Sequence, residues 1–312
     1  MAINAKTITN DEYFYGHKAC AGCGGSLAVR HALKVLGPNT TIALPAGCMS
    51  AVGFNFPQLS FANNAIITPF AATASVCAGI KAGQNCKGLD PNEYQVIGVA
   101  GDGGTADIGI QALSGAIDRN DDIIYLCYDN EAYMNTGIQK SSLTPFGAST
   151  TTSPAGKNAQ GSVSPGCLTN KKNMFEIVAA HGISYAATAS IGYLNDYLAK
   201  IERASQIRGT KYIHVIAPCP TGWGCAVDSA VSIAKEVVDT GLWYLAEYTN
   251  EALCGIPGGQ FSISRNPKSF SSIEAYVRKQ SRFRSLSDAD IERISAGRDA
   301  KWEYIRNNWN CK

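Results

Sequence analysis

The stretch YQVIGVAGDGG, residues 94–104, decides the fold. Tyr94–Ala100 is a largely apolar run without strict alternation, the pattern of a parallel strand covered on both faces. Gly101, Gly103 and Gly104 follow it, so the backbone at the strand end can approach a diphosphate closely. The helix that comes next offers unpaired N–H groups at its start. Downstream, a second run, Asp122–Asp129, ends at Asn130. Two such strands joined through a helix form a βαβ unit. As sheet neighbours they would bring the Asp102 carboxylate and the Asn130 amide oxygen together. Those oxygens suit a hard divalent cation such as Mg²⁺, with phosphate oxygens completing its octahedron.

Outward from this unit the rhythm repeats. Further strands are predicted at Thr41–Pro45, Ala65–Thr68, Ile183–Thr188, Lys211–Ala217 and Leu242–Tyr248. Between them lie helical patterns at Ser26–Leu36, Thr73–Ala82, Ile108–Ile117, Met174–His181, Tyr193–Ile207 and Ala230–Asp239. The fold class is therefore α/β, a doubly wound, mostly parallel sheet that binds ligands outside the C-terminal strand ends. Two segments depart from the rhythm. Glu131–Asn170 is rich in Ser, Thr, Gly and Pro, and a loop of that length inside a domain is usually functional. After Asn250, GIPGGQ leads to a charged helical pattern over Asp288–Asn308. The organisation expected is one α/β domain over 1–250 and a C-terminal helical arm over 251–312 that is peripheral and contacts partner subunits.

Composition narrows the function classes. Of 312 residues only 17% are charged, against about 25% in typical soluble domains, so partner subunits are expected to cover much of the surface. The net charge of +2 and the lack of a Lys/Arg run exclude nucleic acid as the main partner. No apolar run of about 18 residues suggests a membrane span, and no apolar N-terminal segment suggests secretion, so a cytoplasmic location is expected.

Eleven cysteines is an odd number for a disulfide framework and points to metal or redox use of a subset. Cys20 and Cys23 form a Cys-x-x-Cys turn before the first helix, while Cys48 and Cys219 each follow a strand. Strand ends converge on one edge of a doubly wound sheet, so these four thiols could meet there and serve either zinc or an iron–sulfur cluster. Cys77, Cys86, Cys127, Cys167, Cys254 and Cys311 show no partner spacing and read as small hydrophobes.

The GDG start and the Asn130 close resemble the thiamine diphosphate signature, which implies magnesium held by Asp102, Asn130 and the carbonyl of Ala132. A longer series also runs in order: Gly16-His17-x-x-Cys20-x-Gly22-Cys23-Gly24, Gly47-Cys48, GDGG, Asp129-Asn130-Glu131-x-Tyr133-x-Asn135-Thr136-Gly137-x-Gln139 and Pro218-Cys219-Pro220-Thr221-Gly222-Trp223. Over roughly 12–225 it resembles the β subunit of the 2-oxoacid:ferredoxin oxidoreductases, of the pyruvate type and the related oxalate type. The resemblance implies a thiamine diphosphate-binding fold, with cofactor contacts at Gly47, Gly101, Asp102, Gly103, Gly104, Asn130 and Ala132. It implies a 4Fe–4S cluster on Cys20, Cys23, Cys48 and Cys219, with Cys225 the competitor for the fourth place. Asn135 would reach the substrate as a catalytic amide donor, and Trp223 would shield the cluster from water. His17 reads more readily as structural than as a proton donor. The implied reaction is oxidative decarboxylation of a small 2-oxo acid, pyruvate or oxalate, with electrons leaving through the cluster to ferredoxin. The implied partners are pyrimidine-binding and ferredoxin-like cluster subunits of an oxygen-sensitive complex. The competing reading is a non-catalytic iron–sulfur or zinc electron-transfer subunit that binds no thiamine.

Overall fold

In the computed structural model, which describes residues 3–157, 161–250 and 260–311, one eight-stranded sheet organises the chain. Its strands are β1 (Thr40–Pro45), β2 (Ala65–Thr68), β3 (Gln95–Gly101), β4 (Ile124–Asp129), β5 (Tyr185–Ser190), β6 (Lys211–Ile216), β7 (Ala246–Thr249) and β8 (Gln260–Ile263). In space the order is β2-β1-β3-β4-β6-β5-β7-β8, parallel from β2 through β5. Every residue of β4, β5 and β6 is buried, as the continuous apolar runs require of strands covered on both faces. The charged exceptions are paired: the Lys211 ammonium meets Asp122, and His214 meets Asp129.

Helices cover both faces. Gly24–Leu36 and Leu194–Gln206 pack on one, through Ala28, Val29, Leu33, Tyr197 and Ile201. Thr73–Cys86, Ile110–Asp118 and Met174–Ala180 pack on the other, through Ala74, Cys77, Leu113, Ile117 and Phe175. The chain leaves β1 toward β2 and returns on its other side to form β3. That reversal is a topological switch point, where open α/β sheets bind ligands.

Three local expectations change. The helix after the glycines is interrupted: Asp102–Ala106 stops, and the next begins at Ile110. Gly109 sits so close to the Gly104 carbonyl that a Cβ there would lie 2.0 Å from its oxygen, which fixes the break. The strand expected at Leu242–Tyr248 shortens to β7 and runs antiparallel to β5, although helix Ala230–Asp239 precedes it. Finally, the C-terminal segment is not peripheral to the core. β8 extends the sheet, and Trp302 and Ile305 of helix Asp288–Asn308 are buried against the Phe175 face. Its Cys254 lies outside the described residues.

Candidate cofactor site at the switch point

The ends of β1, β3 and β4 form a small cleft lined by Gly47, Cys48, Gly101, Asp102, Gly103, Gly104, Asn130, Ala132 and Asn135, among others. Asp102 is 1% exposed, and its carboxylate takes a short hydrogen bond from the Ser141 hydroxyl. Burial, followed by the charge of Asp129, pushes the Asp102 carboxyl well above the ordinary carboxylate range. The Ser141 hydrogen bond and the charge of Lys171 oppose that rise without cancelling it. Asn130 follows β4, and its side-chain amide lies 2.8 Å from Asp102 Oδ1 and 2.9 Å from the Ala132 carbonyl oxygen. With its oxygen facing inward, three oxygens converge on one point, the donor set a hard cation takes. With the amide turned over, its NH₂ donates to the other two. Asp102, Asn130 and Ala132, the three magnesium ligands implied by resemblance, are thus brought together.

The glycines serve this cleft unequally. A Cβ on Gly101 or Gly104 would meet its nearest neighbour at an ordinary 3.4 Å. On Gly103 it would lie 2.2 Å from the ring of Tyr133. Gly103 is therefore required by Tyr133, whose hydroxyl donates to Asp107 at 2.7 Å and which folds the chain after Asn130 back over the cleft. Gly47 caps helix Cys48–Gly53, and its N–H donates to Ser50 Oγ at 2.9 Å. Asn135 stands exposed at the lip. The cleft holds about 40 Å³, far below the roughly 300–1,000 Å³ of a pocket that encloses a small molecule. This chain alone presents one end of a site.

Behind the cleft lies an ionic network that the motifs do not reveal. Asp129 accepts from Lys171 at 2.6 Å and from His214 at 2.9 Å. Glu131 pairs with the same Lys171 and with Arg282, each at 2.6 Å. Burial outweighs these partners at His214 and holds its pKa below the usual value. For Lys171 the two carboxylates prevail and raise its pKa. Trp223 Nε1 donates to the Asn130 carbonyl at 2.7 Å, and the Arg282 guanidinium lies 3.8 Å over the Trp223 ring. Trp223, expected to shield the cluster, is also tied to the backbone after β4 by this bond. His214 carries no motif that links it to Asp129; only the pairing of β6 with β4 brings the two together.

The four expected thiols gather at the same sheet edge. Cys23 and Cys219 each cap a helix start, their sulfurs accepting the N–H of Ser26 and Gly222, both at 3.4 Å. Cys48 begins helix Cys48–Gly53. Burial and then the neighbouring Cys23, Cys219 and Cys20 push the Cys48 thiol up to about 12, so the four lie within each other's fields. Gly24 makes this possible: its N–H bonds the Pro218 carbonyl at 3.0 Å, and a Cβ would sit 2.7 Å from Ala217. Among the described residues no three His, Cys, Asp or Glu side chains close around a single ion. Cys225 and Cys219 both pack beside the Phe146–Trp243 cluster, and only Cys219 stands in the field of Cys23 and Cys20. His17 stacks on Phe14 at 4.4 Å and accepts the Ala19 N–H, a structural role.

Comparison with known proteins agrees with this geometry. Residues 45–215 match the family model described as thiamine pyrophosphate enzyme, C-terminal TPP binding domain. The pyruvate synthase subunit PorB of Methanothermobacter thermautotrophicus is 44% identical over 93% of this chain and 96% of its own. PorB of Methanocaldococcus jannaschii is 45% identical over 95% and 97%. The ketoisovalerate oxidoreductase subunit VorB of Pyrococcus horikoshii is 41% identical over 95% and 93%. A 2-oxoglutarate:ferredoxin oxidoreductase chain from Magnetococcus marinus shares the fold, with a TM-score of 0.56 at 19% identity over 75% of this chain and 83% of that one.

Proposed function

Since this chain belongs to the PorB/VorB family of 2-oxoacid:ferredoxin oxidoreductase subunits, we propose that it is the thiamine diphosphate- and iron–sulfur-carrying β subunit of a complex that oxidatively decarboxylates a small 2-oxo acid. The observation that carries this reading is the convergence of Asp102 Oδ1, the Asn130 amide and the Ala132 carbonyl at the switch point. Those three would hold Mg²⁺, leaving the remaining positions of the octahedron to the diphosphate. Bound there, thiamine diphosphate supplies the nucleophilic carbon and the electron sink for decarboxylation. Gly47, Gly101 and Gly104 leave room at the strand ends for the diphosphate. Asn135, at the lip, would donate its amide N–H to the substrate oxygen on which charge develops.

Cys20, Cys23, Cys48 and Cys219 would hold a 4Fe–4S cluster that passes electrons singly toward ferredoxin. The small cleft suits a thiamine site completed by another subunit, and the charge-poor composition suits a surface covered in a complex. Among pyruvate, oxalate and branched acids, pyruvate is the substrate we favour, given the pyruvate synthase relatives.

The test is anaerobic purification of the intact complex, followed by viologen reduction with pyruvate, oxalate and 3-methyl-2-oxobutanoate, with and without coenzyme A. Reduction fastest with pyruvate is expected. A complex that carries iron and sulfide but binds no thiamine diphosphate in the presence of Mg²⁺ would support the electron-transfer alternative.

A further inference from the structure

We propose that Glu131 is a positioning residue for the metal ligand set, clamped by Lys171 and Arg282, so that the C-terminal segment takes part in cofactor binding through Arg282. The proposal rests on reading Asp102, Asn130 and Ala132 as the magnesium seat. Glu131 lies between two of those ligands with φ +68°, in the left-handed region that side chains with a Cβ avoid. This conformation reverses the chain within one residue, so the Asn130 side chain and the Ala132 carbonyl face the same point. An ordinary helical or extended φ would send the Ala132 carbonyl elsewhere.

Glycine or asparagine would adopt this turn more readily. What glutamate adds is a long arm with a charge at its end. Its N–H donates to Asp129 Oδ1 at 2.9 Å, and its carbonyl accepts the Thr144 hydroxyl at 2.7 Å. Its carboxylate is tied on one oxygen to Lys171 and on the other to Arg282. The peptide before it is fixed as well, because Trp223 Nε1 donates to the Asn130 carbonyl and Arg282 lies over that indole. Arg282 therefore braces the Asn130–Glu131 turn from both sides, once through charge and once through Trp223. Glu131 and Arg282 are 6% and 5% exposed, at the wall of a cavity of about 570 Å³, so their charges are less screened than those of a surface pair. None of these groups touches the cleft, yet all of them set where its oxygens point, the way outer partners orient metal ligands.

The experiment uses the intact complex stripped of cofactor with a chelator under anaerobic conditions. Thiamine diphosphate binding is followed by equilibrium dialysis as Mg²⁺ is titrated back. In Glu131→Gln and Arg282→Met the Mg²⁺ concentration for half-maximal binding should rise by roughly 10-fold or more, with binding recovering at high Mg²⁺ and the iron content unchanged. Thr144→Val, which removes the neutral brace on the Glu131 carbonyl together with the acceptor of the Ser141 N–H and leaves no unpaired charge, should shift the same midpoint in the same direction by a smaller factor. Midpoints equal to the parent's in variants whose melting temperature has fallen would make Glu131 merely structural and overturn the proposal. If the parent complex itself binds thiamine diphosphate without any Mg²⁺ dependence, the magnesium-seat reading fails, and the clamp fails with it.

Discussion

At the scale of single residues, Asp102 carries the proposed magnesium seat: it is a buried carboxyl that burial and the charge of Asp129 push upward while Ser141 and Lys171 pull it down. Asp102→Asn should therefore lose Mg²⁺-dependent thiamine diphosphate retention by at least about 10-fold, read as cofactor content after gel filtration, while the brown iron–sulfur absorbance stays. The fourth cluster ligand can be tested at the same scale. Both Cys219 and Cys225 pack beside the Phe146–Trp243 cluster, but Cys219 also lies in the field of Cys23 and Cys20. Cys219→Ala should cost the visible absorbance and Cys225→Ala should leave it, and the opposite pattern would reassign the ligand. The nearness of Asp102 to Asn130, and of the four thiols to one another, was legible in the sequence because each sits in a short motif, at a strand end or in the turn before the first helix. Lys171, His214 and Arg282 were not, because only long-range packing brings them to Asp129 and Glu131; the Lys171–Glu131 bond alone spans 40 positions.

At the scale of elements, the sequence located the six parallel strands to within a few residues, since full burial leaves an apolar run that survives in one dimension. It misread the C-terminal segment because a charged helix hides its two or three buried positions. In Asp288–Asn308 the inward side chains are Trp302 and Ile305, the indole N–H of Trp302 bonding the Gly241 carbonyl at 2.8 Å. Trp302→Ala should destabilise the subunit by roughly 3–5 kcal/mol, which a denaturant midpoint would register and a truly peripheral arm would not. The first helix carries a pH-dependent tie. Glu12 pairs with Arg30 and Lys34, with Arg30 as the larger cause, and its pKa falls from 4.5 to about 2. A lowered carboxyl pKa stabilises the fold above the unfolded value, and that contribution is lost as pH falls from 4.5 toward 2. With Glu12 partly exposed the effect is at most about 1 kcal/mol, so Glu12→Gln should lower the neutral plateau by no more than that and leave stability near pH 2 unchanged, which flattens the acid limb slightly.

At the scale of the whole molecule, the apolar surface left in water marks where partners belong. Strand β2 is an edge of the sheet, and Ile66 and Ile67 on it are 47% and 45% exposed. An unpaired apolar edge of this kind invites another chain, and proteins that keep one usually cover it in an assembly. The hairpin Phe54–Leu59, directly after the Cys48 helix, ends in Phe56, which is fully exposed at 100%. Isolated apolar residues are common on surfaces, but a wholly exposed phenylalanine at a turn tip is a natural anchor for a pocket on a partner. Neither group supports this chain's own core, so replacing them should leave the isolated subunit's melting temperature unchanged. Phe56→Asp and Ile67→Lys should each weaken assembly with the other subunits by 10-fold or more, the size of effect an anchor worth about 1.4 kcal/mol or more would give. Light scattering during size exclusion of reconstituted subunits would measure it. Full assembly of both variants would remove these surfaces as interfaces and leave the small, open cofactor cleft to be completed from another side.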